Sequence, residues 1–328
     1  TSLFELSSSN RLSKLFSLEI EFARLLGSPD LKIIYPIMKY PSCIGFEYKS
    51  ENREITLFMD HAYDDKFIHG KEKISLLCGV NTYGEVRIYD LTTMPHLLLA
   101  GSSGSGKSMT MHAFIVSILW KYSPRYCKLV LIDPKHVEYN AYEGISHLSI
   151  PIAKSINEIL NALNWCVEEM NRRYSIFSKF KVKNISEYSE KIFDGEKMSY
   201  IVIFIDEYAD IVMQNKSAEH LVIRLVQMAR ASGIHVIMAT QRPSVDIVTG
   251  ALKANMPFRI SFRVASSVDS KVILGCDGAQ KLLGYGDMIV LNEIGVMERI
   301  CGPYLSVVDI EKIVSCIRSQ NDIMSVTL

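Results

Sequence analysis

An excess of charge of either sign is missing from this chain: Lys plus Arg and Asp plus Glu both number 36, so the formal net charge at neutral pH is zero. Blanket attraction to nucleic acid or to an anionic membrane is thereby excluded, and any polyanion must be gripped locally. No apolar run approaches the roughly 18 residues that a membrane span needs. The seven cysteines (Cys43, Cys78, Cys127, Cys166, Cys276, Cys301 and Cys316) are scattered, form no C-x-x-C pair and have mostly apolar neighbours. Their odd number and the lack of a secretory signal argue against a disulfide framework and for a reducing, cytoplasmic setting. The eight histidines show no metal-ligand spacing, which speaks against a zinc site. Internal repeats and low-complexity tracts are also missing. The first residue is Thr rather than Met, which leaves room for a preceding part that carries targeting or a membrane tether.

What is present is an ordinary globular balance, 48% hydrophobic and 22% charged, over 328 residues. That length allows two domains, or one large α/β domain with an appendage. The reading along the chain gives a loose polar lead-in over residues 1–13, a mostly buried helix over 14–26, and strand-like runs at 31–35, 43–48 and 55–59. Residues 1–75 thus read as a small N-terminal α/β domain with no catalytic spacing. From residue 76 to 328, a hairpin (76–80 and 86–89) is followed by apolar strands at 96–100, 127–132, 200–205, 234–239, 259–264, 288–291 and 296–301. Helices are expected at 109–122, 156–180, 185–193, 217–232 and 306–318. Strands alternating with helices predict a mainly parallel sheet. The segments 242–255 and 266–280 read as loops of mixed charge.

The first of those strands runs into Gly101-Ser102-Ser103-Gly104-Ser105-Gly106-Lys107-Ser108, which matches G-x-x-x-x-G-K-[ST]. The glycines let backbone N–H groups converge on phosphates, Lys107 reaches the β and γ phosphates, and the Ser108 hydroxyl serves Mg²⁺. The strand 200–205 ends in Asp206-Glu207. Asp206 is placed to hold Mg²⁺ through water and Glu207 to polarise an attacking water, a pairing expected of an ATPase. Gln241, at the tip of the strand 234–239, is placed to sense the γ-phosphate, although a plain capping turn before Pro243 produces the same residues. Arg230, near the end of the helix expected over 217–232, reads by itself as a solvated cation on the helix dipole. Between Arg242 and Arg299 there are seven basic and six acidic residues, which is no basic patch.

Longer motifs point to a family. His96-Leu97 entering the cradle, Ile132-Asp133-Pro134-Lys135, Asn171-Arg172-Arg173-Tyr174, Ala229-Arg230-Ala231-Ser232-Gly233, Ala239-Thr240-Gln241-Arg242-Pro243 and Leu283-Gly284-Tyr285-Gly286-Asp287 closely resemble the FtsK/SpoIIIE DNA translocases. The likeness is strong over about residues 76–305, and the segment before it resembles the family's small α domain. The resemblance implies a RecA-like P-loop ATPase that assembles a hexameric ring of like subunits around double-stranded DNA, with ATP and Mg²⁺ at the subunit interfaces. It implies that Arg230 acts on the neighbour's γ-phosphate, which replaces the reading as a solvated cation. It also implies that Arg242 and Lys271 lie in loops tracking the DNA backbone, with Lys253 a further candidate contact. The chain departs from the family at Ser267, where relatives such as FtsK carry a lysine thought to act in trans. It stops soon after its last expected helix, leaving no room for the winged-helix γ domain. Two other readings share the cradle: a type VII secretion ATPase that moves polypeptide, and an assembly protein that binds ATP with negligible turnover. The Ser244-Val245-Asp246 to Thr249-Gly250 pattern disfavours the former, and Glu207 the latter.

Overall fold

The computed structural model describes residues 2–6, 12–28, 31–35, 42–48, 55–192 and 197–326. The chain divides into two compact units, Thr1–Ile55 with Thr82–Gly84, and Thr56–Asn81 with Glu85–Leu328. Residues 56–75, grouped with the N-terminal domain on sequence grounds, belong to the larger unit, because Phe58, Ala62, Phe67 and Ile74 are wholly buried in its core.

The small unit is an antiparallel sheet in the order β1-β3-β2 with two short helices. Its elements are β1 (Ser2–Glu5), α1 (Leu12–Ser17), α2 (Glu19–Leu25), β2 (Lys32–Ile34) and β3 (Cys43–Glu47). The loose lead-in is therefore in part a strand, with Ser2–Glu5 paired to Cys43–Phe46. The single buried helix expected over 14–26 is two helices broken at Leu18, and neither has a fully buried residue. At the break the Ser17 hydroxyl donates back to the Lys14 carbonyl, 2.7 Å, a bond that competes with the helix ladder.

In the larger unit the elements are α3 (Phe58–Ala62), α4 (Asp65–Ile68), β4 (Ser75–Asn81), β5 (Val86–Asp90), β6 (His96–Ala100), α5 (Lys107–Lys121), β7 (Cys127–Ile132), α6 (Ile156–Phe180), α7 (Ile185–Lys191) and β8 (Tyr200–Ile205). There follow α8 (Tyr208–Gln214), α9 (Ser217–Met228), β9 (Ile234–Thr240), α10 (Gly250–Asn255), β10 (Phe258–Phe262), α11 (Ser267–Leu274), β11 (Asp287–Leu291), β12 (Met297–Cys301) and α12 (Val307–Val326). They build a nine-stranded sheet in the order β5-β4-β12-β11-β10-β6-β9-β8-β7. Strands β10, β6, β9, β8 and β7 run parallel. The β11, β12, β4 and β5 side is antiparallel.

The central strands are apolar throughout because both faces are covered, as parallel sheets require. Successive residues point to opposite faces. Thus Leu97, Leu99, Leu129, Leu131, Val202 and Phe204 enter one core with α5, while Leu98, Val130, Ile132, Ile201 and Ile203 enter the other with α6, α8 and α9. This places the carboxyl ends of β6, β7, β8 and β9 along one edge, where ligands bind in open parallel sheets.

Three local expectations are corrected. Residues 55–59 are not a strand: Leu57 makes one isolated bridge to Tyr304 and a helix begins at Phe58, which with Ala62 presents an i, i+4 buried pair. The loops expected at 242–255 and 266–280 contain α10 and α11. Thr249 caps the first, and a reciprocal Ser266–Asp269 capping box starts the second. The helix expected over 217–232 ends at Met228, and Arg230 lies in the turn that follows, closed by Gly233 at φ +73°.

Candidate functional site

The loop 101–106 joins the buried strand β6 to α5. Gly106 adopts φ +109°, and a Cβ there would meet the Gly286 nitrogen at 2.2 Å, so only glycine fits. The Gly286 N–H in turn donates to the Ser105 carbonyl, 2.9 Å, binding the loop to the turn before β11. On its other side Gly101 donates to the Thr240 carbonyl and Ser102 to that of Arg263. A loop fixed at both ends presents the first-turn N–H groups of α5, which have no acceptor within the helix, and the positive end of its dipole. Ser105 Oγ is buried and has no hydrogen-bond partner among the described residues.

Three strand tips bring the remaining candidates together. Lys107, 4% exposed, pairs with Asp206 at 3.3 Å, joining the start of α5 to the end of β8. Burial pushes the Asp206 carboxyl above its usual value, and the Lys107 ammonium pulls it back. Glu207, 2% exposed, accepts from Thr240 Oγ1 at 2.8 Å and from the Gln241 N–H at 3.0 Å. The Ser103 hydroxyl donates to Gln241 Oε1 at 2.7 Å. Ser103, Gln241 and Glu207 thus form one hydrogen-bonded line from the glycine-rich loop to the end of β8.

The tip of β7 contributes residues to which the sequence motifs assigned no role. Lys135 Nζ stands 3.5 Å from Glu207 Oε2 and 3.6 Å from Asp210 Oδ2. Buried Asp133 folds this loop, its Oδ2 accepting from the N–H groups of Glu138 and Tyr139. Glu138 thereby reaches the start of α5, where Ser108 Oγ donates to its Oε1 at 3.1 Å. The signal available in the sequence was the position of Asp133-Pro134-Lys135 at the end of a buried strand.

Mg²⁺ is tested by the donors present. Among the described residues no three Asp, Glu, His or Cys side chains form a cage that could hold a metal by themselves. That agrees with a magnesium ion which keeps several waters and takes further oxygens from substrate phosphates. A hydroxyl (Ser108) and a buried carboxylate (Asp206) beside the loop are hard oxygen donors of the right kind.

Arg230 is not brought to this site. It lies before β9 while Thr240 closes it, and seven residues of strand at about 3.3 Å each span roughly 20 Å, beyond the reach of one side chain. Arg230 instead lines a cavity of about 810 Å³ at the opposite edge of the sheet, with Lys73, Asn184, Tyr200 and His235 among its walls. The turn is anchored by Arg173, 2% exposed, which donates to the Ser232 carbonyl and to Glu169, both at 2.8 Å.

The candidate DNA contacts are spread. Arg242 is exposed directly after Gln241, with its guanidinium 3.2 Å from Met213 Sδ. Lys253 on α10 is tied to the Val272 carbonyl of α11 at 3.3 Å, and Lys271, on that same helix, is exposed beside Asp277. Two other cations of this region are structural. Arg259 caps α10 and α11 through the carbonyls of Lys253 and Ile273, and Arg299 pairs in two-pronged fashion with buried Asp287. Ser267 is the first residue of α11.

Such a sheet, with a glycine-rich loop feeding a helix and an acidic pair one strand removed, defines the fold of the RecA-like P-loop ATPases. Residues 59–245, more than half of the chain, match the FtsK/SpoIIIE family, and the chain belongs to that family. It is 42% identical to the DNA translocase FtsK of Caldanaerobacter subterraneus subsp. tengcongensis over 320 residues, covering 96% of this chain and 45% of that protein. With the DNA translocase FtsK of Borreliella burgdorferi it shares 42% identity over 310 residues, 93% of this chain and 39% of the other. The chain therefore spans less than half the length of these relatives. Among solved structures, the pCW3 conjugation coupling protein TcpA, in a monomer form with ATPγS, superposes with a TM-score of 0.73 at 23% identity over 97% of this chain and 88% of that one. The cytoplasmic domain of the Thermomonospora curvata type VII secretion ATPase EccC gives 0.68 at 21% identity over 75% and 31%. These two likenesses are of fold. Among the described residues no helix is long and apolar enough to cross a membrane.

Proposed function

We propose that this chain is the motor part of an ATP-driven double-stranded DNA translocase, hydrolysing ATP at the interfaces of a hexameric ring. The observation that carries the reading is the bonded line Ser103–Gln241–Glu207, which continues through the backbone into exposed Arg242. A change at the phosphate loop is thereby passed to a cation on the surface. Family membership and the Ser244 to Asn255 motif favour DNA over polypeptide as the cargo, since a fold shared with secretion ATPases does not discriminate between them.

In this mechanism the N–H groups of Ser103, Gly104, Gly106, Lys107 and Ser108 and the Lys107 ammonium bind the phosphates of ATP, while those of Gly101 and Ser102 stay on the Thr240 and Arg263 carbonyls. Ser108 and Asp206 would hold Mg²⁺, which supplies positive charge against the phosphate oxygens. Glu207 orients a water in line with the γ-phosphate and accepts its proton as the new P–O bond forms and the bond to ADP breaks. The donors from Thr240 and Gln241 fix the direction of that carboxylate. Arg230, out of reach of its own loop, completes the site of the adjacent subunit. Arg242, Lys253 and Lys271 bind the phosphate backbone, each contact independent of base sequence.

The test is steady-state ATP hydrolysis with and without long duplex DNA at low salt. Strong stimulation by duplex is expected, and a rate indifferent to DNA in a verified oligomer overturns the translocase reading.

A further inference from the structure

Ser108 differs from the other hydroxyl residues of its helix. Thr110 Oγ1 donates back to the Gly106 carbonyl at 3.2 Å and Ser117 Oγ to the Ala113 carbonyl at 2.7 Å, the usual habit of helical hydroxyls. Ser108 instead donates across to Glu138 Oε1 at 3.1 Å. A hydroxyl has one proton and two lone pairs, so spending the proton on a carboxylate leaves Oγ purely an acceptor, the form a cation requires.

Glu138 is built into place for this contact. Its backbone is held by Asp133, as is that of Tyr139, and the loop turns through His136 at φ +59°, a left-handed conformation costly for a non-glycine residue. Behind the carboxylate stands His112 Nε2 at 3.5 Å, with His112 Nδ1 on the Tyr142 hydroxyl at 2.9 Å. Hydrogen bonds from His112 and Ser108 and the nearby Lys107 ammonium hold the Glu138 carboxyl below its usual range, and its charge is felt at Asp206.

We propose that Glu138 is a positioning residue of the nucleotide site: it takes the Ser108 proton in a hydrogen bond, turns the Oγ lone pairs toward magnesium, and adds an anionic charge to the metal's outer shell. The inference rests on reading Gly101–Ser108 as the ATP site. Outer-shell partners of this kind fix ligand orientation, and losing them weakens metal binding about 10–100-fold.

The experiment follows binding of a ribose-labelled fluorescent ATP analogue to the whole chain, in EDTA and across a Mg²⁺ titration. Glu138→Gln is expected to keep the metal-free affinity within about twofold and to raise the Mg²⁺ needed for half-maximal tightening about tenfold or more. Ser108→Ala is expected to do the same, and the double variant to be worse than Ser108→Ala but short of the product of the two effects, since the hydrogen bond is lost once and only the charge is lost in addition. Glu138→Asp, whose carboxylate stops a methylene short, is expected to raise the requirement about threefold. The proposal is overturned if Glu138→Gln or Glu138→Asp binds nucleotide with the wild-type Mg²⁺ requirement, or if the effects of Glu138→Gln and Ser108→Ala multiply. Failure of the underlying reading looks different: the unaltered chain would not bind the analogue, or Lys107→Ala would bind it normally.

Discussion

A carboxylate with a hydroxyl, a backbone N–H and an ammonium around it, as Glu207 has in Thr240, Gln241 and Lys135, is confined in direction as well as in charge. Glu207→Gln keeps an acceptor for the Gln241 N–H but loses the base. Nucleotide binding should survive while turnover falls about a hundredfold or more, read as tight binding without product release. Lys107→Ala should abolish nucleotide binding itself, because the ammonium is the only charge on the loop. At the far end of the sheet, His235 Nδ1 donates to the Pro95 carbonyl and His96 Nδ1 accepts from the Val236 N–H, which requires a neutral His96 ring. Burial pushes His96 down to about 3 and His235 to about 4. Their folded values lie below that of an unfolded histidine near 6.5, so the unfolded chain binds protons that the folded one refuses. Their stabilising contribution is complete above about pH 6.5 and declines as the pH falls toward those folded values. Denaturant titrations from pH 7 to pH 5 should show falling stability, with a shallower slope in His235→Gln. Lys107, Ser108, Asp206 and Glu207 were legible in the sequence because contiguous motifs carry them. Glu138, and the approach of the motif residue Lys135 to Glu207, were not, since nothing local says how a loop folded on Asp133 returns to the start of α5.

For whole elements, legibility followed burial. The strands β6, β7, β8 and β9 stand out as apolar runs because both their faces are covered, whereas α10 and α11 were obscured by their charges and are identified by their caps. The turn after α9 was likewise hidden, and its geometry depends on a distant helix. Arg173 of α6 holds the Ser232 carbonyl while Glu169 neutralises it. Arg173→Met should cost about 3–5 kcal/mol, because it leaves Glu169 without its buried partner and the carbonyl without a donor. Thermal unfolding measures that loss. Arg172→Met, removing the exposed partner of Glu169, should cost under about 1 kcal/mol.

At the scale of the molecule, the distance between Arg230 and its own phosphate loop makes a definite demand. Lys107→Ala and Arg230→Ala subunits, each inactive alone, should regain ATP hydrolysis when mixed, because the former can still lend its arginine to the latter. Mixtures that assemble yet stay inactive would place Arg230 outside the catalytic arrangement. The division of the chain at Ile55 was less legible than the large sheet, since residues 56–75 have no motif and reveal their allegiance only through Phe58 and Phe67 in the larger core.

Strand β9 has the properties of a mechanical part. All seven of its residues are buried, it is hydrogen-bonded along both sides, and its two ends carry the arginine turn and the Thr240–Gln241 pair. It is a stiff connecting rod with a different chemical grip at each end. In the proposed ring one grip holds the next subunit's nucleotide and the other the subunit's own, so neither can shift without pushing on the other. Timing around the ring would then need no messenger beyond the length of a strand.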